Sequence, residues 1–385
     1  MNENRPPAPV LNTAFGAGES VPWEVAIVIP ARNEENRIQA CLSAIADAID
    51  RTPVTVGVIL CVNDTQDGTT RKASTIMRMR GVHHLILDLH FAPGTGGVGR
   101  ARDLGCRLSQ RIAGAPSVLM TTDADSRVDH NWITANLAEL EGADIVFGAI
   151  IPDPEELLDI WPQLARHGSI EQEYANAAVR LVHQLDPLPH DPDPQHRTPA
   201  GASIAVTATA LQRLGGIPWV PVSEDRMLAT RAEALDLRIR HASRPKVMTS
   251  CRLTGRAEGG MATTLRERCG ADDPYCDDWL EPADNLAARF RIKGKLRAAW
   301  PMPRRCRSLA HHLLGTGPIP DPENCATFGQ FWQRLESTHP ALVRTKLRHS
   351  EAVRELSLLM EHLARLDVSR PDQMPPDAQA VSLLP

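Results

Sequence analysis

Two carboxylates separated by one residue, Asp123 and Asp125, are well suited to chemistry. They follow an apolar run that begins at Val118, so we expect them at the end of a buried strand, where a bend lets both approach one point. Two such carboxylates repel each other unless a cation lies between them. Mg²⁺ and Mn²⁺ take oxygen ligands, commonly one or two carboxylates plus substrate phosphates. The spacing favours a divalent-metal site, and the simpler alternative is an acidic turn.

The elements that must position these acids alternate between strands and helices. Apolar runs predict buried strands at Val25–Ile29, Val54–Val62, Leu85–Leu89 and Ser117–Thr121, and further strands at 144–151, 200–206 and 237–247. Helical spacing predicts helices at Asn33–Asp50, Thr69–Arg80 and Gly99–Ile112. This alternation predicts an α/β fold with a mostly parallel sheet flanked by helices. In such sheets ligands bind at the carboxyl ends of the strands.

The remainder of the chain is predicted to be helical or irregular. A helical stretch runs through Tyr174 and Val182, and the Pro-, His- and Asp-rich segment Leu185–Pro199 predicts a long functional loop or lid. Patterns near 284–315 and 326–366 predict a C-terminal helical extension. We therefore expect a flexible lead-in at 1–22, an α/β domain at 23–270 with halves at about 23–126 and 127–270, a helical region at 271–368 and a disordered tail at 369–385.

Composition limits the classes of protein to which the chain can belong. Its 385 residues are 42% hydrophobic, and its formal charge of −5 argues against a nucleic-acid binder. The eight cysteines form no CxxC pair, which predicts reduced thiols, with Cys269 and Cys276 as one local pair that could join. The chain shows neither a signal-peptide pattern nor a run of about 18–20 apolar residues. These features predict a cytoplasmic protein, and contact with a membrane surface stays compatible with them.

Five segments occur in a fixed order around the two acids. They are Val25–Glu35, Val58–Thr69, Gly99–Gly105, the pair Gly201–Val206 and Ala210–Gly216, and Ser223–Leu228. Together they resemble the inverting family 2 glycosyltransferases of GT-A fold, over about residues 24–250. The resemblance implies a GT-A fold, a UDP- or GDP-sugar donor, Mn²⁺ or Mg²⁺, and transfer to an acceptor hydroxyl that the sequence does not identify.

The resemblance also assigns residues to the donor site. Contacts with the nucleotide-sugar are implied for Pro30, Ala31, Arg32, Glu34, Asn63, Asp64, Gly99, Arg102, Asp123, Ala124 and Asp125, with Asp123 and Asp125 on the metal. A carboxylate such as Asp64 can accept hydrogen bonds from the base or ribose. A helix start with an arginine fork attracts phosphate. The structural alternatives are a helix cap, for which Asp67 is better placed, and a solvated Arg102.

The pair Glu224 and Asp225 matches the family's Glu-Asp pair, whose aspartate acts as general base. An acceptor hydroxyl is a poor nucleophile, so a positioned carboxylate takes its proton as the oxygen attacks the anomeric carbon. The metal neutralises the departing diphosphate. The structural alternative, compatible with catalysis, is a helix capped by Ser223 with two acids in its first turn.

A later segment is predicted to contact anions. Arg252 and Arg256 lie beside flexible glycines and suit a clamp for a diphosphate or an anionic acceptor, with a basic surface turn as the alternative.

The chain departs from the family at the third metal ligand. Many members supply a histidine where this chain has Thr249 or Ser250. Water and donor phosphate could complete the coordination, or a histidine of the 185–200 loop, His190 or His196.

The sequence is also compatible with other functions. A retaining GT-A enzyme that glycosylates a small phosphorylated acid would use the same acid motif. A sugar-1-phosphate nucleotidyltransferase would need a Gly-rich basic loop after the first strand, and this chain lacks one. A non-catalytic sugar-nucleotide-binding protein would use the C-terminal helices as its surface. The apolar stripe within 328–366 is most simply explained by packing on its own domain, with a homodimer contact or a membrane-surface face as alternatives.

Overall fold

The computed structural model describes residues 7–17, 22–111, 115–255 and 260–368. In these ranges nine strands form one sheet: β1 Val10–Ala17, β2 Val25–Ala31, β3 Val56–Asn63, β4 His83–His90, β5 Val118–Thr121, β6 Arg127–Val128, β7 Ile145–Pro152, β8 Ile204–Thr207 and β9 Ile239–Thr249. Their spatial order is β1-β4-β3-β2-β5-β8-β7-β9-β6.

Within the described residues, twelve α-helices accompany the sheet: α1 Ile38–Ile49, α2 Thr69–Met79, α3 Val98–Ser109, α4 Trp132–Leu140, α5 Pro154–Leu185, α6 Ala208–Leu214, α7 Glu224–Ala234, α8 Met261–Gly270, α9 Ala283–Ala299, α10 Pro303–Leu314, α11 Phe328–Thr338 and α12 His349–Val368. Short 3₁₀ turns lie at Pro322–Asn324 and Pro340–Leu342. The α/β class predicted from the sequence is confirmed.

The prediction of a mostly parallel sheet is only partly correct. Strands β4, β3, β2 and β5 are parallel neighbours, as the alternating pattern indicated. Beyond β5 the direction changes, because β8 runs antiparallel to both β5 and β7. Strand β6 is antiparallel to β9, and β1 to β4, so parallel and antiparallel pairs occur equally. A local apolar run does not indicate its direction in the sheet, which explains the error.

The prediction of a loose lead-in at 1–22 is wrong for residues 10–17, which form strand β1. This strand pairs antiparallel with β4 from Val10 opposite His90 to Ala17 opposite His84. It covers the outer edge of β4, whose backbone groups would otherwise lack partners. Residues 1–6 and 18–21 lie outside the described residues.

The core lies on both faces of the sheet. In β2, Ile27 and Ile29 point into a cluster with α1 and α4, whereas Ala26 and Val28 point into a cluster with α3, α6 and α7. Successive side chains of a strand alternate between faces, so a continuous apolar run fits a strand buried on both. This double burial makes the carboxyl ends of the parallel strands a rigid platform for the loops that follow.

The C-terminal helices pack back on the α/β part. The apolar stripe predicted within 328–366 is buried at most positions, and only Val353 of its members is largely exposed. The backbones approach closely, since a Cβ at Gly294 would lie 2.1 Å from the carbonyl oxygen of Leu185. The stripe therefore packs on its own chain, as predicted. The domain boundaries, among them residue 270, stay predictions, and the tail at 369–385 lies outside the described residues.

Two further sequence predictions concern the cysteines and membrane segments. All eight cysteines are free thiols, six of them buried, as the scattered spacing indicated. Among the helices of the described ranges, none is both long enough and apolar enough to span a bilayer.

Candidate functional site

The predicted site residues of the first half converge on one edge of the sheet. Glu34 follows β2, Asp64 follows β3, and Asp123 follows β5, and these three strands are parallel neighbours. Their carboxyl ends therefore open on the same cleft. Asp64 has a left-handed backbone with φ +49°, which turns the chain sharply at the strand end. The topology thus brings together acids that are widely separated in the sequence.

Arg102 of α3 joins Asp123, the first acid of the acid motif, to Glu224 of the Glu224 and Asp225 pair. Its Nη2 lies 2.5 Å from Asp123 Oδ1, and its Nη1 donates to Glu224 Oε1. The Arg102 side chain is 1% exposed, whereas 35% of Asp123 is accessible at the cleft. The prediction of a phosphate-facing Arg102 stays untested, and its alternative, a solvated arginine, is wrong. In this structure the fork holds two carboxylates.

Arg252 makes a matching bridge around the second acid. Its Nη2 lies 2.8 Å from Asp125 Oδ2, and its fork donates to both oxygens of Glu34 at 2.7 and 2.5 Å. The alternative of a basic surface turn is therefore wrong for Arg252, whose side chain is only 14% exposed, and contact of Arg252 with a diphosphate or an anionic acceptor stays a prediction. Arg256 lies outside the described residues.

The motif residues carry excess negative charge. Burial raises the pKa of Asp123 to about 7 against the opposing charge of Arg102, and the charges of Asp125, Glu224 and Asp225 raise it further. Ala124 between the two acids is buried, so the turn is fixed against the core. Carboxylate oxygens crowded in this way suit a hard divalent cation. The residues present fit a Mg²⁺ or Mn²⁺ site.

Asp225 lies in the first turn of α7 beside Glu224. Its Oδ2 accepts from the N–H of Gly201 at 2.8 Å, and its Oδ1 accepts from the N–H of Arg226 at 2.7 Å. Ser223 has φ +60° and makes no side-chain cap hydrogen bond, so the serine cap of the structural alternative is wrong, whereas its two acids do lie in the first turn. Burial, and then the charge of Glu224, raises the pKa of Asp225. Asp225 is thus a fixed carboxylate with increased proton affinity, next to the Arg102 bridge.

The residues predicted to contact the nucleotide differ in their surroundings, since some are buried and others are exposed or held by hydrogen bonds. Asp64 Oδ1 accepts from Phe91 N at 2.9 Å, and Asp67 rather than Asp64 accepts from Thr69 N at the start of α2. Asn63 is buried at the end of β3. Pro30 and Ala31 are the buried last residues of β2, and Arg32 beyond them is exposed.

The start of α3 is packed against the segment that precedes α7. A Cβ at Gly99 would lie 2.6 Å from the Pro218 carbonyl oxygen and 3.0 Å from Glu224 Cβ. The guanidinium of Arg100 lies over the rings of Phe91 and Trp219. Arg102 contacts Asp123 and Glu224 of the acid cluster.

Neither histidine of the 185–200 loop approaches the acid motif. His196 lies against Ala242 O and the His241 ring, and His190 lines a cavity with His241. His241 pairs with Phe147 and Thr249 with Pro152, which at about 3.3 Å per residue places them roughly 17 Å apart along β7. The Thr249 hydroxyl is the group near the motif, since Ser126 donates to it at 3.1 Å. The alternative of a histidine ligand from this loop is therefore wrong, and completion of the coordination by water and donor phosphate stays a prediction.

Two acids that the sequence reasoning missed hold the site in place. Glu156 of α5 accepts from the Ser250 hydroxyl at 2.6 Å and Cys251 N at 2.8 Å, and so fixes the segment that presents Arg252. Asp103 of α3 accepts from Ile217 N at 2.9 Å and Trp219 Nε1 at 2.7 Å, ahead of α7. The hydrogen-bond partners of both acids lie about a hundred residues away in the sequence, so no local pattern predicts these contacts.

Comparison with known proteins supports part of this picture. Residues 26–192 match the family model described as "Glycosyl transferase family 2". No curated protein matches. Similar solved structures include S. aureus TarS 1–349 with UDP-GlcNAc (12% identity, 89% of this chain, 88% of that chain, TM-score 0.43). The mannosyltransferase PcManGT from Pyrobaculum calidifontis with GDP-Man and Mn²⁺ is another (14% identity, 91% and 80% coverage, TM-score 0.43).

A third is glucosyl-3-phosphoglycerate synthase from Mycobacterium tuberculosis with Mn²⁺, UDP and phosphoglyceric acid (16% identity, 66% and 83% coverage, TM-score 0.38). Similarities of this size carry no functional inference. The family match covers β2 to α5, the elements that contribute Glu34, Asp64, Arg102 and the acid motif. Residues 26–192 of this chain are therefore similar to glycosyl transferase family 2.

Proposed function

We propose that the protein transfers a sugar from a UDP- or GDP-sugar to an acceptor hydroxyl with inversion at the anomeric carbon. The main support is one geometric observation, the Arg102 bridge that joins Asp123 of the acid motif to Glu224 beside Asp225. This bridge brings the acid motif and a candidate base into one cleft, although about a hundred residues separate them in the sequence.

The acid motif provides the ligands for the metal in this proposal. Asp123 and Asp125 would hold Mg²⁺ or Mn²⁺, which when bound neutralises charge on the leaving diphosphate. Arg252 and Arg102 hold these carboxylates in position, and their forks suit phosphate oxygens as well as carboxylates.

Asp225 is the base in this proposal. Its two backbone hydrogen bonds fix the carboxylate, and its raised pKa increases its capacity to take the proton of an acceptor hydroxyl. The proton would pass from the hydroxyl to a carboxylate oxygen as the hydroxyl oxygen attacks the anomeric carbon and the bond to the diphosphate breaks. Inversion follows because attack and departure take place on opposite faces.

The experiment is nucleoside-diphosphate release from a panel of UDP- and GDP-sugars with Mn²⁺, for the wild type, Asp225→Asn and Glu141→Gln. Glu141 is an exposed carboxylate outside the cleft and serves as the matched control. We expect Asp225→Asn to lose release by at least about a hundredfold while it still binds nucleotide. Equal release by all three proteins would show that Asp225 is not the base.

A further inference from the structure

Positive charge is concentrated in one part of this acidic protein. Residues 285–320 contain no Asp or Glu and eight Arg or Lys. Because the whole chain carries −5 and this segment +8, all other residues together carry −13. The segment comprises most of α9, the connecting turn, α10 and the residues up to 320, and we call α9, the turn and α10 the cationic hairpin.

Three of the eight cations face inward and are compensated. Arg289 makes a fork with Glu281, Arg297 lies 2.7 Å from Asp186, and Lys293 is mostly buried with its Nζ 3.7 Å from a Glu233 oxygen. These residues attach the hairpin to the rest of the protein and need no external partner.

The outward cations of the hairpin are different. Arg291, Lys295, Arg304 and Arg305 are exposed, and no carboxylate of the described residues lies within ion-pair distance of them. The fifth, Arg307, is also exposed and lies 3.3 Å from Asp321. Four like charges on one hairpin repel each other, so the surface is better satisfied with an anionic partner.

An apolar side chain lies among these cations. The exposed stripe of α9 passes Arg291 and Lys295 and ends at Met302 in the turn, and Arg304 and Arg305 follow. Met302 is 47% exposed between two prolines. Helix α10 buries Cys306 and Ala310 against the protein, so its charged side faces water. Lys and Arg beside an exposed apolar group are typical of helices that lie at a membrane interface.

We propose that the cationic hairpin docks the protein onto an anionic lipid surface. Clustered Lys and Arg bind anionic headgroups, and Met302 can enter the interface with little rearrangement. A single-stranded nucleic acid fits less well, since it usually needs an exposed aromatic platform. The one aromatic residue of the turn, Trp300, has its ring packed on Phe328 and Phe331 at 5.8 and 5.6 Å.

The test is co-sedimentation of the full chain with phosphatidylcholine vesicles that contain roughly one-third phosphatidylglycerol, against pure phosphatidylcholine, at about 0.05 M salt. We expect binding only to the anionic vesicles. The double variant Arg304→Gln/Arg305→Gln should bind about 30-fold more weakly, since each cation near the surface contributes about fivefold. Both side chains are exposed, so the unfolding temperature should stay unchanged.

The control is the charge-matched variant Arg231→Gln/Arg354→Gln, on exposed positions of α7 and α12, which should bind like the wild type. Equal losses in both double variants would mean that net charge alone governs binding, and would overturn the proposal. So would binding to a DNA oligonucleotide without binding to vesicles, or no vesicle binding at all. None of these outcomes depends on transferase activity.

Discussion

Arg102 and Asp123 form an ion pair of 2.5 Å in which the arginine is almost fully buried and the carboxylate faces the cleft. The arginine is therefore the fixed partner and the acid the accessible one. Because the same guanidinium also binds Glu224, one buried charge organises both halves of the site. The charge network of the cleft thus depends on a residue that solvent hardly reaches.

Replacing Arg102 should destabilise the whole protein. Arg102→Met leaves Asp123 and Glu224 without their counter-charge, and breaking a buried pair in this way typically costs about 3–5 kcal/mol. Urea denaturation would measure the free energy of unfolding. Arg111→Met, at an exposed position just after the same helix, is the control and should cost less than about 0.5 kcal/mol. Similar losses in the two variants would contradict the bridging role of Arg102.

The close approach of α9 to the end of α5 should make residue 294 intolerant of a side chain. In Gly294→Ala the new Cβ would lie 2.1 Å from the Leu185 carbonyl oxygen, so backbone must move. We expect a loss of about 1–3 kcal/mol in the free energy of unfolding. Gly270→Ala, where nothing lies within 4 Å, should be neutral. If Gly294→Ala were as stable as the wild type, this docking of the helical region would be wrong.

Lowering the pH should reduce the free energy of unfolding, because folding lowers the pKa of His196. Burial, and then the charge of His241, lowers the pKa of His196 from 6.5 to about 4. The folded state therefore resists protonation that the unfolded state accepts, and stability is lost as pH falls from 6.5 towards 4. At pH 5 the loss from this group is up to about 2 kcal/mol.

His196→Gln tests this pH dependence through urea midpoints at pH 7 and pH 5. The variant should lose less stability than the wild type between these values, whereas His311→Gln, at an exposed position, should follow the wild-type curve. If His196→Gln lost as much stability as the wild type between pH 7 and pH 5, burial of His196 would not be the cause of the acid sensitivity.

The sequence predicted those features that depend on local patterns. The apolar runs located β2, β3, β4 and β5, and a strand end placed Asp123 and Asp125 at the cleft. Pairing of distant segments was not predictable, because the partner of an edge strand leaves no local trace. For this reason the sequence predicts a loose lead-in where β1 lies, and it predicts a strand near β8 without its antiparallel direction.

The hydrogen-bond and charge partners of the site residues are not predictable from the sequence for the same reason. Arg102 suggested phosphate because it opens a helix, yet its partner Glu224 lies 122 residues further on. Glu156 and Asp103 have no motif, and only the folded chain shows that they hold the segments carrying Arg252 and Asp225. The opposite error also occurs. His190 and His196 have side chains that can bind a metal, yet the fold holds both far from the cleft.

The proposed function requires a metal-dependent nucleotide site at Asp123 and Asp125. Its most direct test is thermal stabilisation by UDP and GDP, with and without Mn²⁺, for the wild type, Asp125→Asn and the control Glu141→Gln. We predict that one nucleotide raises the unfolding temperature only with Mn²⁺, in the wild type and Glu141→Gln but not in Asp125→Asn. No stabilisation by either nucleotide, or the same rise in Asp125→Asn, would show that these two acids do not form a metal-dependent nucleotide site.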